Sequence, residues 1–365
     1  MNKSICFSSN EDVVKTAFRD YMGHYMTEVA KRQGFIYDNT VSFAEKETKI
    51  NKLMMDEITR MSGLSFSNGI ASPEMIANNP NLRWAAFAVV NSLIDMIVPE
   101  VLDKSIGMYT EQRVGAYGDS FSFTVEPNDL FYVSKVGHDQ RTTEFQKQFV
   151  GQMTIVPENR ALTVSVNFYK VLCGKESLAK FVMKAILSLE AQITKEVYVA
   201  FDTAMAALPT TSETDNLHLT GWNADSAIRI AQTVSAFNNG ADPVFIGTKL
   251  ALNKAVPDNG NYRYDIESDF VRVGYLRNFM GYDALELKQV ADWKNPHKLV
   301  LNDKRIYVVS PAYGKIVKLC YEGGSRTINR DFEDAADMTA STTIFKSYGI
   351  GIATNALAGV IDITG

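Results

Sequence analysis

Four histidines (His24, His138, His218 and His297) and three cysteines (Cys6, Cys173 and Cys320) are the side chains best suited to metal or nucleophilic chemistry. No histidine stands at ligand spacing from another His or Cys, and no Cys-x-x-Cys occurs, so no zinc site is expected. The histidines read as surface residues. The odd, widely spaced cysteines argue against a disulfide framework and fit a reducing cytoplasm. Gly349-Ile-Gly-Ile-Ala-Thr354 carries two of the three glycines of a dinucleotide-binding loop, but it lies in a strand-like run rather than between strand and helix. Gly174-Lys175-Glu176 lacks the upstream glycine and the hydroxyl of a phosphate-binding loop, and no Gly-x-Ser-x-Gly elbow occurs. Asp202 falls inside a long helical pattern, not in a turn that could present a catalytic carboxylate. The pairs Glu45/Glu47 and Glu333/Asp334 read as solvated faces. Catalytic carboxylate pairs are drawn from distant segments, and sequence spacing alone does not identify one. No catalytic, metal-binding or cofactor-binding residue is assigned.

The chemistry being absent, the elements carry the reading. The 365 residues are 46% hydrophobic and 22% charged, enough for two or three compact units with a real core. A net charge of -5 does not fit a protein built to grip phosphates through a basic face, although a shell that merely encloses nucleic acid remains compatible. The N-terminus has no apolar signal region. The most apolar stretch, Trp84 to Val98, holds Asn91, Ser92 and Asp95; it reads as too short and too polar to span a bilayer, and so as a buried helix.

Val13, Ala17, Tyr21 and Tyr25 mark one helical face, and Phe43, Ile50, Leu53, Met54 and Ile58 another. These helices form either an ordinary packing layer or an arm lying on a neighbouring subunit. After a Gly/Ser/Asn/Pro-rich linker, a helix is expected from Asn81 to Asp103. Its buried face would hold Trp84, Phe87, Ala88, Asn91, Ile94 and Val98, and Pro99 would kink or end it. Ser120–Glu126 and Leu162–Phe168 alternate as half-buried strands and read as partners. Between them lies a long excursion with Phe131, Tyr132 and Phe145 on its limbs and His138, Asp139 and Arg141 at a polar tip; Gly115 and Gly118 would form a flexible base. A lone two-stranded ribbon is barely stable in water, so it must lie on its own chain or on a neighbour.

Glu176 to Leu208 follows with an unbroken i, i+3, i+4, i+7 apolar stripe, a helix of about 45–50 Å. Asn223 and Thr248 are placed to cap two further helices around the strand Val244–Gly247. Lys298–Leu301 and Lys304–Val309 read as a hairpin, and strands close the chain at 316–321, 343–352 and 360–363.

The order of these parts resembles the major capsid proteins of tailed bacteriophages, the Hong Kong 97 type of capsid fold. The resemblance rests on three places: the excursion followed by the spine-like helix, the insert Val244–Leu252 with Gly274–Gly281, and the ending Tyr348–Leu357. It implies an α+β fold with an N-terminal arm and helical region (1–107), an extended loop with flanking strands (108–172), a peripheral domain with the spine helix (173–222), an axial domain (223–311) and closing peripheral strands (312–365). It further implies a non-enzymatic subunit that assembles with itself into pentamers and hexamers in the host bacterial cytoplasm. The icosahedral head of the virion would enclose double-stranded DNA without sequence-specific binding, with no membrane and no cofactor. Scaffolding, portal and cement proteins are the partners it implies. Phe131, Tyr132, His138, Asp139, Arg141 and Phe145 would contact a neighbouring subunit, with Gly115 and Gly118 as hinge. The alternatives are an encapsulin-like nanocompartment shell or an α/β enzyme with an unrecognised site.

Overall fold

The computed structural model describes residues 9–32, 34–64, 75, 79–107, 110–125, 130–136, 145–148, 150–164, 176–208, 217–255, 273–292, 295, 298–310, 315–330, 341–353 and 357–363. The chain is mixed α+β, with a helical layer over one sheet and a second, wider sheet beyond it.

The helical layer comprises α1 (Ser9–His24), a π-helical turn (Tyr25–Val29), α2 (Phe43–Ser62), α3 (Pro80–Ile106) and the long α4 (Leu178–Ala206). Ser42 starts α2 by accepting from Glu45 N, while the Glu45 carboxylate takes Ser42 N in return; Gly63, at φ 70°, stops it. Ser177 caps α4 in the same way through Lys180 N. Val182, Ile186, Leu189, Ile193 and Val197 form its buried stripe, as the periodicity requires. α1 and α2 pack against α3, so these helices form a packing layer within the chain.

The expectations for α1 and α3 are corrected. α1 buries Val14, Phe18, Tyr21 and Met22, whereas Val13 is exposed. α3 buries Leu82, Ala85, Val89, Leu93, Ile97 and Val101 besides Ile94 and Val98, leaving Trp84 exposed and Phe87, Ala88 and Asn91 at the margin. The misreading has a cause. α3 touches α1, α2, α4 and two strands of the first sheet, so it is apolar on nearly every side and offers no clear stripe. Pro99 does not end α3, which continues to Ile106 with Val101 and Leu102 buried beyond it. α3 is also longer than expected, and residues Pro80–Leu102 are long and apolar enough to cross a membrane; here they pack in the core with α2 and α4.

The first sheet runs β1 (Thr110–Gly115), β10 (Val317–Arg330), β11 (Ser341–Ile352) and β4 (Glu158–Val164). Its Val317, Leu319, Tyr321, Ile344 and Tyr348 join the helical core. Asn91 and Asp95, polar residues in an apolar helix, meet this sheet. Asn91 accepts from Thr327 Oγ1 at 2.6 Å. Asp95 accepts from Ser325 N at 2.9 Å, from Ser325 Oγ at 2.6 Å and from the buried Lys346 ammonium.

The second sheet has the order β5 (His218–Thr220), β12 (Ala358–Asp362), β9 (Arg305–Val309), β6 (Val244–Gly247), β8 (Tyr282–Glu286) and β7 (Asn278–Phe279). α5 (Ala224–Phe237) and α6 (Lys249–Asn253) cover one face, capped by Asn223 and Thr248 as the sequence indicates. The other face receives Phe201 and Met205 from the end of α4. This sheet is wider than the segment 223–311, since it takes in β5 and β12 from outside it. The expected hairpin of 298–301 with 304–309 does not form: Leu299 makes one isolated bridge to Ala291, while β9 pairs with β12 and β6. Ile306 to Val309 are buried in succession, the mark of a central strand covered on both faces.

Candidate functional site

The excursion starts from a two-stranded ribbon, β2 (Phe121–Val125) against β3 (Gly151–Ile155). The expected partnership of 120–126 with 162–168 is corrected: Phe121 pairs with Ile155, and β4 pairs with β11 instead, Glu158 opposite Tyr348. Met153 and Ile155 supply the apolar alternation that matches Phe121 and Phe123. The chain then passes Pro157 and enters the other sheet. Residues 165–168 lie outside the described residues.

The ribbon base lies on the face of the first sheet opposite the helices. Phe121, Phe123 and Ile155 pack there with Cys320. A Cβ on Gly349 would stand 2.7 Å from Ile155 Cγ2 and 3.0 Å from the Val156 carbonyl oxygen; one on Gly351 would stand 2.7 Å from Ile155 Cδ1. The Gly-Ile-Gly run is therefore a seat for the ribbon. Two glycines at i and i+2 of a strand share one face, and that spacing was the available signal of a close approach. Arg113 sits over the Phe123 ring at 4.5 Å and donates to the Ser122 carbonyl at 2.6 Å. Burial pushes the Cys320 thiol up, away from reactivity.

Beyond the base the limbs are open to solvent. Leu130, Phe131, Tyr132 and Val133 on one limb and Phe145 and Val150 on the other are exposed, Phe145 almost completely at 97%. The Gln146 side-chain amide ties the limbs together, donating to the Tyr132 carbonyl and accepting from Tyr132 N, both at 2.6 Å. The structure thus brings Phe131, Tyr132 and Phe145 onto one projecting element. His138, Asp139 and Arg141 lie outside the described residues.

At the foot of the ribbon, Gly115 and Gly118 frame a tight turn. A Cβ on Gly115 would meet the Phe121 ring and Asp119 Oδ2, each at 2.9 Å, and Gly118 has φ +85°. Asp119 Oδ2 accepts from Ala116 N at 2.6 Å, and Glu322 Oε1 accepts from Gly118 N at 2.8 Å.

A second polar constellation joins α4 to the second sheet. Asp202 accepts from Arg305 Nη1 and from the Tyr307 hydroxyl, each at 2.6 Å. Arg305 also binds Asp362, whose other oxygen lies 2.6 Å from His218 Nε2. Burial of the Asp362 carboxyl raises its pKa, but hydrogen bonds from Arg305 and His218 outweigh that and hold it below the usual range. Burial and the Asp202 bond push the Tyr307 phenol far above its ordinary value. Lys195–Asp292, at 2.8 Å, adds a second ion pair one heptad before Asp202. His218 is accordingly a mostly buried structural residue and not a surface one; His24 is likewise packed, between Tyr37 and Phe43. Among the described residues no group of three or more His, Cys, Asp or Glu is placed to hold a metal ion.

None of the curated proteins matches the chain. Solved structures similar to it include the capsid of a native GTA particle (12% identity, 72% of this chain and 90% of that one, TM-score 0.47). The mature capsid of bacteriophage PhiM1 (10% identity, 70% and 86%, TM-score 0.45) and that of cyanophage P-SCSP1u (12% identity, 71% and 87%, TM-score 0.44) are also similar. A sequence profile of the family described as "SPbeta prophage-derived putative capsid protein YonB" matches residues 24–362. Nearly the whole chain being covered, the protein belongs to the YonB family of phage capsid proteins.

Proposed function

We propose that this chain is the major subunit of a Hong Kong 97-type shell, assembling as pentamers and hexamers into an icosahedral head around double-stranded DNA. The observation that carries the reading is the projecting excursion: Phe131, Tyr132, Val133 and Phe145 are exposed in the single chain, and burying them against a neighbour supplies the driving force for association. In this reading the first sheet and α4 form the peripheral domain, and the second sheet forms the axial domain around which copies meet. Scaffolding, portal and cement proteins would join the same lattice, and assembly would take place in the host bacterial cytoplasm. His138, Asp139 and Arg141 at the tip would complete the contact with the neighbour. The role is structural and needs no cofactor.

Deleting residues 137–143 tests the contact. The expected result is a subunit that folds, by circular dichroism and melting, yet fails to form shells in sedimentation. Shell formation at the wild-type rate and yield would overturn the assembly role of the excursion.

A further inference from the structure

The foot of the excursion is held more firmly than a flexible base requires, by residues outside the contact itself. Tyr117, in the turn between β1 and β2, lies against Gly323 of β10; a Cβ on Gly323 would fall inside its ring, onto Cδ2 and Cε2. Gly323 has φ +59°, a left-handed conformation that disfavours any side chain. It opens an irregularity in β10, where the register with β11 shifts between Glu322 and Arg326. From the far side of this bulge Arg326 places its guanidinium over the same Tyr117 ring, 4.7 Å from its centre. The bulge is in turn pinned to α3, because Asp95 accepts both the backbone N–H and the hydroxyl of Ser325. Glu322 spans the turn and the sheet, accepting from Gly118 N with one oxygen and from Ser347 Oγ with the other, at 3.1 Å.

We propose that Tyr117, packed against Gly323 and carrying the Arg326 guanidinium over its ring, is a positioning residue that fixes the angle at which the excursion leaves the subunit. Release of the ring leaves the turn held by the Glu322 and Asp119 carboxylates, and the ribbon, still seated through Phe121, Phe123 and Ile155, then tilts about Gly115 and Gly118. The latch sets which neighbouring surface the limbs can reach, and so the curvature of what is built. This rests on the reading of the excursion as an inter-subunit contact. The angle itself is measurable in a subunit that has not assembled.

The test uses the full chain with spin labels at Val133→Cys on a limb and Ala161→Cys on β4, in a background with Cys6 and Cys173 changed to serine. Pulsed electron resonance on the unassembled protein should give one narrow distance distribution. Tyr117→Ala should broaden and shift it. Tyr117→Phe should restore it, because the contacts are made by ring carbons. Gly323→Ala, which expels the ring, should resemble Tyr117→Ala; if that variant does not fold, the Tyr117 pair still decides. Unlabelled Tyr117→Ala should melt near wild type but give misshapen or fewer shells. A narrow, unshifted distribution in Tyr117→Ala would overturn the latch. If the distribution broadens but deleting 137–143 leaves assembly intact, the latch stands and the docking reading fails.

Discussion

Asp95 offers the sharpest test of how the helical layer is joined to the sheet beneath it. Its carboxylate gathers Ser325 N, Ser325 Oγ and the Lys346 ammonium. The Lys346 side chain is 3% exposed and the Asp95 side chain 31%. Asp95→Ala leaves a buried cation without its counter-ion and a backbone N–H without its acceptor. Breaking a buried pair costs about 3–5 kcal/mol, and partial exposure of Asp95 places this case near 3 kcal/mol. Lys346→Met should cost less, about 1 kcal/mol, because Asp95 keeps its Ser325 donors and reaches solvent. In that background Asp95→Ala should lose only about 1–2 kcal/mol, a coupling of at least about 1 kcal/mol. Urea unfolding of the unassembled subunit, followed by circular dichroism, measures all four corners of this cycle. A loss below about 1 kcal/mol for Asp95→Ala, or strict additivity in the double variant, would refute the claim that this carboxylate holds α3 to the sheet.

Gly349→Ala should cost about 1–3 kcal/mol by forcing its methyl group into Ile155 and the Val156 carbonyl. Hydrogen exchange should then speed up at β2 and β3 while the core of α4 keeps its protection. The Asp362 carboxyl is held below its usual range, so its contribution is present in full above the unfolded value near pH 4 and is lost as pH falls through the folded one. Stability should therefore drop in acid below about pH 4, and Arg305→Met should flatten that part of the profile, as read by melting temperature against pH.

Much of this architecture could be read before any coordinates. Asn223 and Thr248 are caps that point to their own helices, and the α4 stripe lies within a few residues of its expected bounds. These are local signals. The failures are non-local. Phe121 and Phe123 announce a strand, but whether they meet Ile155 or Leu162 depends on where the chain passes from the ribbon to the first sheet, at Val156–Pro157, which alternation does not encode. Ile306 to Val309 look like one arm of a hairpin, yet their partners are 49 to 65 residues away, on both sides in the chain. Trp84 and Phe87 are larger than Ala85 and Ala86, so they attract a core assignment; the close approach of neighbouring elements instead selects the small residues. At the candidate site, the exposed aromatics of the excursion were recognisable from composition. The Gly349/Gly351 spacing signals a close approach without naming what approaches, and Tyr117 and Gly323 carry no local signal, since their contact exists only where two distant segments cross.

The central claim is that the exposed limbs find their burial in neighbouring copies of the same chain. Cryo-electron microscopy of the purified, full-length protein with measurement of its nucleic-acid content tests it most directly. Closed icosahedral shells of pentamers and hexamers are expected, DNA-filled when taken from virions, in which Phe131, Tyr132 and Phe145 are covered by an adjacent subunit. A protein that stays monomeric or dimeric at high concentration, with those three side chains still in solvent, would contradict it.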